Sequence, residues 1–337
     1  MNNKKTKSTA FRAVIAGTGS CTPEKQLTND DLTKMVDTSD EWITTRTGIK
    51  VRHIAEDNQT TASLSTEAAK RAVQQAGISA EDIEMIIVAT VTPEMVFPAT
   101  ACFVQEQLGA KKAWAFDISA ACSGFVYALS IAQQFVTSGK YDNVLVIGAE
   151  TISKITDYKD RTSCILFGDG AGAAILKRGD AKGSRGVFYS TSGSDGSGWK
   201  SIYCPAYGSR FPVTKPLETP NSIYVQINGR EVYQLAVRKI IETVEDCLTN
   251  CKLSIDDIDL FIPHQMNARI IESVAKRLEL SDEKVFINID KYGNTSAASI
   301  PIALDECLRQ GRIKKGDIVL LVAFGGGLTW GANVIEF

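Results

Sequence analysis

Only two histidines and eight cysteines occur in the 337 residues, so few places can support nucleophilic chemistry. Cys122 lies in Ala120-Ala121-Cys122-Ser123-Gly124, after a strand-like Asp117-Ile118-Ser119 and before a long uncharged segment. That placement is a helix N-terminus, where free backbone N–H groups and the dipole favour a thiolate and small neighbours admit a substrate. The competing reading is a small core thiol, the usual fate of a cysteine. His264 follows Phe261-Ile262-Pro263, at the end of a strand-like run and shortly before a helix. That is a good place for a site, or for a satisfied structural histidine. Asn294, in Tyr292-Gly293-Asn294-Thr295-Ser296, is by itself only a turn signal. In Phe324-Gly325-Gly326-Gly327-Leu328, three glycines allow close backbone approach and offer N–H groups for an oxyanion hole. His53, between Arg52 and Ile54, reads as structural. The run Gly168-Asp169-Gly170-Ala171-Gly172 is not a nucleotide loop, because the following Ala173-Ala174-Ile175-Leu176 reads as a strand and no Walker lysine follows.

The elements that must position these residues come in two copies. Residues 78–88 (ISAEDIEMIIV) match 253–263 (LSIDDIDLFIP) at an offset of 175, and 141–147 (YDNVLVI) match 316–322 (GDIVLLV) at the same offset. Helix-like stretches at 65–77 and 232–251 precede each copy. FDISAACSGFVYAL from 116 and INIDKYGNTSAASIPIAL from 287 both pass from a strand-like start through small residues into a helix. The chain therefore divides at 1–178, which carries the cysteine, and 179–337, which carries the histidine and asparagine. A pseudo-twofold between the halves would bring the two turns together, with Cys122, His264 and Asn294 on one cavity. MIIVATV, NVLVIGA and DIVLLVAF read as strands buried on both faces, which calls for layered sheets with helices between and outside them. Residues 178–222, rich in Gly, Ser and Pro, read as hairpins and loops lining a site. Residues 118–139 carry no charge and are long enough to span a bilayer, but Ser123, Ser130, Gln133, Gln134 and Thr137 make them too polar for lipid. A buried central helix fits better.

Composition narrows the classes. Lys and Arg number 37 against 39 Asp and Glu, a balance that argues against a nucleic-acid partner. With 44% apolar and 23% charged residues, the chain is of ordinary globular type. The scattered cysteines form no CxxC pair, so no metal site is expected. The polar N-terminus MNNKKTKSTA lacks an apolar signal core, which leads us to expect a cytoplasmic protein with reduced thiols and no membrane association.

Taken together, these segments closely resemble the β-ketoacyl-[acyl-carrier-protein] synthase III family, thiolase-fold enzymes that start bacterial fatty acid synthesis. The resemblance runs from about Phe11 to Phe337 and rests on DTSDEWITTRTGI (37–49), SAACSGF (119–125), FGDGAGAA (167–174), PHQMN (263–267), YGNTSAAS (292–299) and FGGGLTWG (324–331). Elongating ketosynthases are Cys-His-His enzymes, and here the only other histidine is His53. Thiolases carry a second cysteine before the glycine run, where this chain has Phe324. Chalcone-type synthases share Cys-His-Asn but lack DTSDEW and FGGGLTWG. The resemblance implies an α/β, five-layered α-β-α-β-α fold of two duplicated halves. It implies Cys122 as nucleophile, His264 and Asn294 as its catalytic partners, and an oxyanion hole from the N–H groups of Cys122 and Gly326. Trp42 and Arg161 would sandwich the coenzyme A adenine, with Thr38 nearby and Asn267 in the tunnel. The segment Gln265, Met266, Asn267, Ala268 and Arg269, with Lys276 and Arg277, would meet the carrier protein. A lysine common in that surface is Gln234 here, which shifts docking toward Arg230 or Arg238. Phe97 would close the partner's acyl pocket in a homodimer, and Leu328 stands where some relatives have Phe. The implied substrates are a short acyl-CoA, acetyl-CoA first, and malonyl-carrier protein, with no cofactor. A secondary-metabolism relative with a longer primer and a non-catalytic acyl-binding subunit remain alternatives, the latter opposed by the intact Cys122, His264 and Asn294.

Overall fold

The computed structural model describes residues 11–180, 185–206, 208–214, 216 and 219–337. Nine strands form its main sheet: β1 (Arg12–Cys21), β2 (Met85–Ala89), β3 (Trp114–Ile118), β4 (Asn143–Glu150), β5 (Gly170–Gly179), β6 (Gly186–Ser194), β7 (Leu260–Pro263), β8 (Ile318–Gly325) and β9 (Thr329–Glu336). Their order is β7-β8-β9-β6-β1-β5-β4-β2-β3. Every residue of β2 and β7 is buried, as their unbroken apolar runs require. The sheet consists of two half-sheets joined where Ala13 of β1 faces Val187 of β6. In each half the β2–β4 or β7–β8 pair is parallel, and the next pair, β4–β5 or β8–β9, is antiparallel. The counterpart of β3 in the second half is reduced to a bridge between Phe261 and Val285.

The duplication is visible element by element. β2 and β7, β4 and β8, the 3₁₀ turns Ala80–Asp82 and Ile255–Asp257, and the 3₁₀ turns Ala121–Ser123 and Ser296–Ala298 all start 175 residues apart. The sequence cause is plain at one of these places. Ser79 with Asp82 and Ser254 with Asp257 form matching capping boxes, in which each serine and acid satisfy the other's backbone N–H. The proposed 178/179 division falls at the last residues of β5.

Among the described residues, seven helices of eight or more residues complete the layers: α1 (Asp40–Thr47), α2 (Thr61–Ala76), α3 (Thr100–Leu108), α4 (Gly124–Thr137), α5 (Gly229–Cys251), α6 (Ala268–Arg277) and α7 (Ser299–Arg309). α4 and α7 lie in the middle and touch strands of both half-sheets. α2 and α3 cover the outer face of one half, and α5, with α6 packed on it, covers the other. Three apolar clusters fill the spaces: a central one around Phe125, Leu129, Ile300 and Leu304, and one under each outer helix pair. The uncharged segment is thus the central helix α4. Its polar groups are satisfied by the second half: Gln133 donates to the Val187 carbonyl at 2.8 Å and accepts from Ser190, and Ser130 accepts from Asn333. Among the described residues no helix is long and apolar enough to cross a membrane.

Close packing at the centre depends on glycine at two positions. A Cβ on Gly148 of β4 would lie 2.1 Å from the Ala297 carbonyl oxygen, and one on Gly325 of β8 would lie 2.7 Å from the Cys122 nitrogen. Each 3₁₀ turn is therefore pressed against a strand end.

Candidate active site

Cys122, His264 and Asn294 line one cavity of about 110 Å³, together with Leu166, Phe167, Ile202, Ile227, Gly229, Val232, Met266, Asn267, Ile270 and Phe324. Cys122 sits in the Ala121–Ser123 turn, two residues ahead of α4. Ala121 holds φ at +46°, and its counterpart Ser296 holds +49°. This left-handed conformation is costly for residues with a Cβ, and such outliers concentrate at functional sites. The two turns touch, so the pseudo-twofold does bring the two motifs together.

Cys122 is partly exposed as a residue and lines the cavity, enclosed by protein. Burial pushes the thiol up to about 12, against the neighbouring Ser296 hydroxyl, which pulls the other way. Enclosure of the cavity therefore favours the protonated thiol, against the preference for a thiolate at the helix end.

His264 directly follows β7 and is 1% exposed. Its backbone N–H continues the sheet to the Val322 carbonyl at 2.8 Å. Nδ1 lies 2.6 Å from Ser299 Oγ, and that oxygen also accepts the Gln265 N–H at 3.3 Å. The Ser299 hydroxyl has no other acceptor among its hydrogen bonds, so donation to Nδ1 satisfies its proton, and in that tautomer the ring proton sits on Nε2. Nε2 is buried with no protein partner, so its proton is available to a ligand. Burial lowers the imidazole to about 3, which keeps it neutral.

That shift has a measurable consequence. The folded protein resists protonating His264 while the unfolded chain, at about 6.5, does not. The unfolded state therefore binds more protons between pH 6.5 and 3, and this contribution is complete above 6.5 and lost as pH falls. At pH 5 the loss is about 2 kcal/mol relative to neutral pH. Melting at both pH values should show His264→Gln falling less on acidification than wild type; equal falls would contradict the assignment.

Asn294 is clamped by its backbone, donating to the Leu166 carbonyl and accepting from Gly168 N–H. Its Oδ1 accepts the Ser296 N–H at 2.9 Å, which leaves the Nδ2 donors for the cavity. On the other side of Cys122, Gly325 packs against the sulfur-bearing residue, and Gly326 follows in the turn between β8 and β9.

The remaining expected residues divide clearly. Trp42 of α1 is half-buried, and the Arg161 guanidinium lies 5.1 Å from its ring centroid. Arg161 is tethered by the Asp37 carbonyl at 3.0 Å, and Arg46 also stacks on Trp42, at 4.7 Å. A planar ligand between Trp42 and Arg161 needs about 7 Å, two contacts of ~3.5 Å, so the guanidinium must swing away to admit it. Thr38 Oγ1 is buried without a partner. Asn267 caps α6 by accepting the Arg269 N–H and donates to the Arg46 carbonyl at 3.0 Å, tying the α1 surface to the cavity wall.

Three residues of the expected carrier-docking segment do not belong to it. Gln265 is 1% exposed, with its amide donating to the Pro263 and Phe286 carbonyls and accepting from Asn288. Met266 faces the cavity, and Ala268 packs on Ile49 and Ile289. Their place in β7–α6 turns them inward, while Arg269, Lys276 and Arg277 are exposed and Asn267 is partly so. Leu328 is buried in the second-half cluster and does not line the cavity. Phe97 is 81% exposed and does not line the Cys122 cavity of its own chain. His53 is structural, with Nδ1 on the Pro23 carbonyl and its ring near Tyr292. Asp169 of the glycine-rich run accepts from the Ala55 and Ser153 N–H groups, and the run continues into β5 from Gly170. Among the described residues no group of three or more His, Cys, Asp or Glu is placed to hold a metal ion.

The sequence did not single out Ser296, Ser299 or Glu150. The repeat held a signal for the first, since Ser296 occupies the place of Ala121.

Comparison with known proteins agrees with this arrangement. Residues 116–196 match the family model described as 3-Oxoacyl-[acyl-carrier-protein (ACP)] synthase III, and residues 248–337 match the model of its C-terminal part. The β-ketoacyl-[acyl-carrier-protein] synthase III of Caldanaerobacter subterraneus subsp. tengcongensis is 58% identical over 325 residues, covering 96% of this chain and 98% of the relative. The same-named protein of Clostridioides difficile is 52% identical, covering 97% and 98%. The crystal structure of 3-oxoacyl-[acyl-carrier-protein] synthase III from Aquifex aeolicus superposes with a TM-score of 0.89 at 48% identity, covering 96% of this chain and all of that one. With the duplicated thiolase fold and the Cys-His-Asn cavity, these likenesses establish that the chain belongs to the 3-oxoacyl-[acyl-carrier-protein] synthase III family, condensing acyltransferases of fatty acid synthesis.

Proposed function

We propose that the chain joins a short acyl-CoA, acetyl-CoA first, to malonyl-acyl-carrier protein through an acyl-Cys122 intermediate. The observation that carries this reading is the meeting of a thiol, an unpartnered His264 Nε2 and the Asn294 amide on one largely apolar cavity. Its size supports a short primer, since about 110 Å³ is less than the ~150 Å³ that holds a benzene ring.

In the first half-reaction the Cys122 sulfur attacks the thioester carbonyl. The oxyanion is held by the N–H groups of Cys122 and Gly326, and coenzyme A leaves as its thiolate, which takes up a proton from water. In the second, malonyl-carrier protein enters and its thioester oxygen accepts from His264 Nε2–H and Asn294 Nδ2–H. As CO₂ departs, negative charge gathers on that oxygen, where the two donors are already aimed. A neutral histidine suits this step, because it offers a proton in a hydrogen bond without giving it up. The enolate carbon then attacks the acyl-Cys122 carbonyl and expels the sulfur, releasing a β-ketoacyl-carrier product. Side chains and backbone supply each step, so no cofactor is invoked.

The surface supports the remaining parts of the reading. Trp42, Arg161, Thr38 and Asn267 form the coenzyme A approach. Arg269, Lys276 and Arg277, with Arg230 and Arg238 of α5 in place of a cation at Gln234, offer positive charge to an acidic carrier. Val96 and Phe97, 86% and 81% exposed and flanked by Met95, form an apolar projection suited to a second copy, which makes the working unit a homodimer. Eight free cysteines suit a reducing compartment, the cytoplasm.

Steady-state condensation with acetyl-CoA and malonyl-carrier protein tests the site assignment. Trp42→Ala should raise KM for acetyl-CoA roughly 10-fold, the scale of one lost stacking contact, and leave KM for malonyl-carrier protein unchanged. An unchanged KM for acetyl-CoA would remove Trp42 from the binding site.

A further inference from the structure

Glu150 ends β4 with no exposure to solvent, and none of the steps above uses it. Its carboxylate accepts from Thr92 Oγ1 at 2.6 Å, from Thr90 Oγ1 at 3.2 Å and from the Val91 and Thr92 N–H groups at 3.2 Å. The remaining contact is with Ser296 Oγ, at 3.1 Å. The 3₁₀ turns that carry Ser296 and Cys122 touch, and Ser296 acts to favour charge on the Cys122 sulfur, so one hydroxyl lies between a buried acid and the nucleophile. Ser296 is held there in a left-handed conformation, with its N–H fixed by Asn294 Oδ1. A buried carboxylate with this many donors is expensive to maintain for packing alone.

We propose that Glu150 is the proton acceptor for Cys122 and acts on the sulfur through the Ser296 hydroxyl. The proposal rests on the reading of Cys122 as nucleophile. As the sulfur attacks, its proton passes to Ser296 Oγ while the Ser296 proton passes to Glu150. A thiol and a carboxylate become a thiolate and a carboxylic acid, Ser296 remains a hydroxyl, and the net charge of the site does not change. When condensation frees the sulfur as a thiolate, the proton returns by the same route. Keeping the charge constant avoids the penalty of a second buried anion.

The surrounding groups fit. Burial raises the Glu150 carboxyl to about 7, so it exchanges protons near neutrality. His264 is a poor alternative acceptor, since burial holds it near 3. Asp169 precedes Gly170, the β5 partner of Glu150, but its oxygens are occupied by Ser153 and Ala55 and its charge is eased by Lys154.

The test is alkylation of Cys122 in the full chain by iodoacetamide across neutral and alkaline pH, read at the Cys122 peptide by mass spectrometry. No acyl-CoA is present, so the outcome is separate from whether the condensing reaction occurs. Wild type should react along a curve that rises near pH 7 and levels, an apparent value belonging to the coupled pair. Glu150→Gln and Ser296→Ala should each react roughly 10²-fold more slowly at neutral pH, with the rise displaced to alkaline pH. Ser296→Ala guards against misfolding, because its counterpart Ala121 shows that alanine accepts the same backbone conformation. A wild-type curve in both variants overturns the proposal. A change in Glu150→Gln alone overturns the route through Ser296, and a change in Ser296→Ala alone overturns Glu150 as acceptor.

Discussion

His264→Ala protein is expected to accept an acetyl group on Cys122 at close to the wild-type rate while losing malonyl-carrier decarboxylation by roughly 10²–10³-fold, the usual effect of removing one oxyanion donor. The division follows from proton positions. Nε2–H points into the cavity without a partner, and Nδ1 is occupied by Ser299, so the ring is fixed as a donor. A ring held near pKa 3 does not take the Cys122 proton, and acylation has no need of it. The two half-reactions are separable: acylation is read as adduct formation with acetyl-CoA alone, and decarboxylation as CO₂ release from malonyl-carrier protein. If His264→Ala abolished acylation as fully as loss of the cysteine does, His264 would be the base for Cys122 and this division would be wrong.

Cys122→Ala is expected to lower overall condensation by on the order of 10⁴–10⁶-fold, the range found when the nucleophile of an acyl-transfer enzyme is removed. The protein should still fold. The lost sulfur faces the cavity, and the surrounding turn is built by Ala121, Ser296 and the glycines at 148 and 325. No other cysteine lines the cavity, and Cys164, Cys247 and Cys307 are buried in separate parts of the structure. Residual condensation within about 10-fold of wild type would mean that transfer proceeds without the covalent step.

Much of this arrangement can be read from the sequence because duplication repeats its own instructions. Ser79-to-Asp82 and Ser254-to-Asp257 each specify a capped turn, and the apolar runs after them can only be buried strands. From two such copies the convergence of Cys122, His264 and Asn294 follows. The positive φ at Ala121 and Ser296 could not be read, because neither residue is one that favours it; tertiary packing against Gly148 and Gly325 imposes it. The inward turn of Gln265, Met266 and Ala268 was also hidden. Neighbours along the chain from Gln265 to Arg269 look alike on a surface map, but a strand end and a helix cap alternate which of them faces out. Ser299 and Glu150 act through side-chain hydrogen bonds across 35 and 146 positions, and no local pattern announces such partners.

The most direct test is the intact mass of the wild-type protein after exposure to acetyl-CoA, with the modified residue located by peptide mapping and the adduct then chased with malonyl-carrier protein. The expected result is one acetyl group on Cys122, discharged by the chase into a β-ketoacyl-carrier product with release of CO₂. No adduct, an adduct on another residue, or an acetyl group on Cys122 that malonyl-carrier protein cannot discharge would contradict the mechanism.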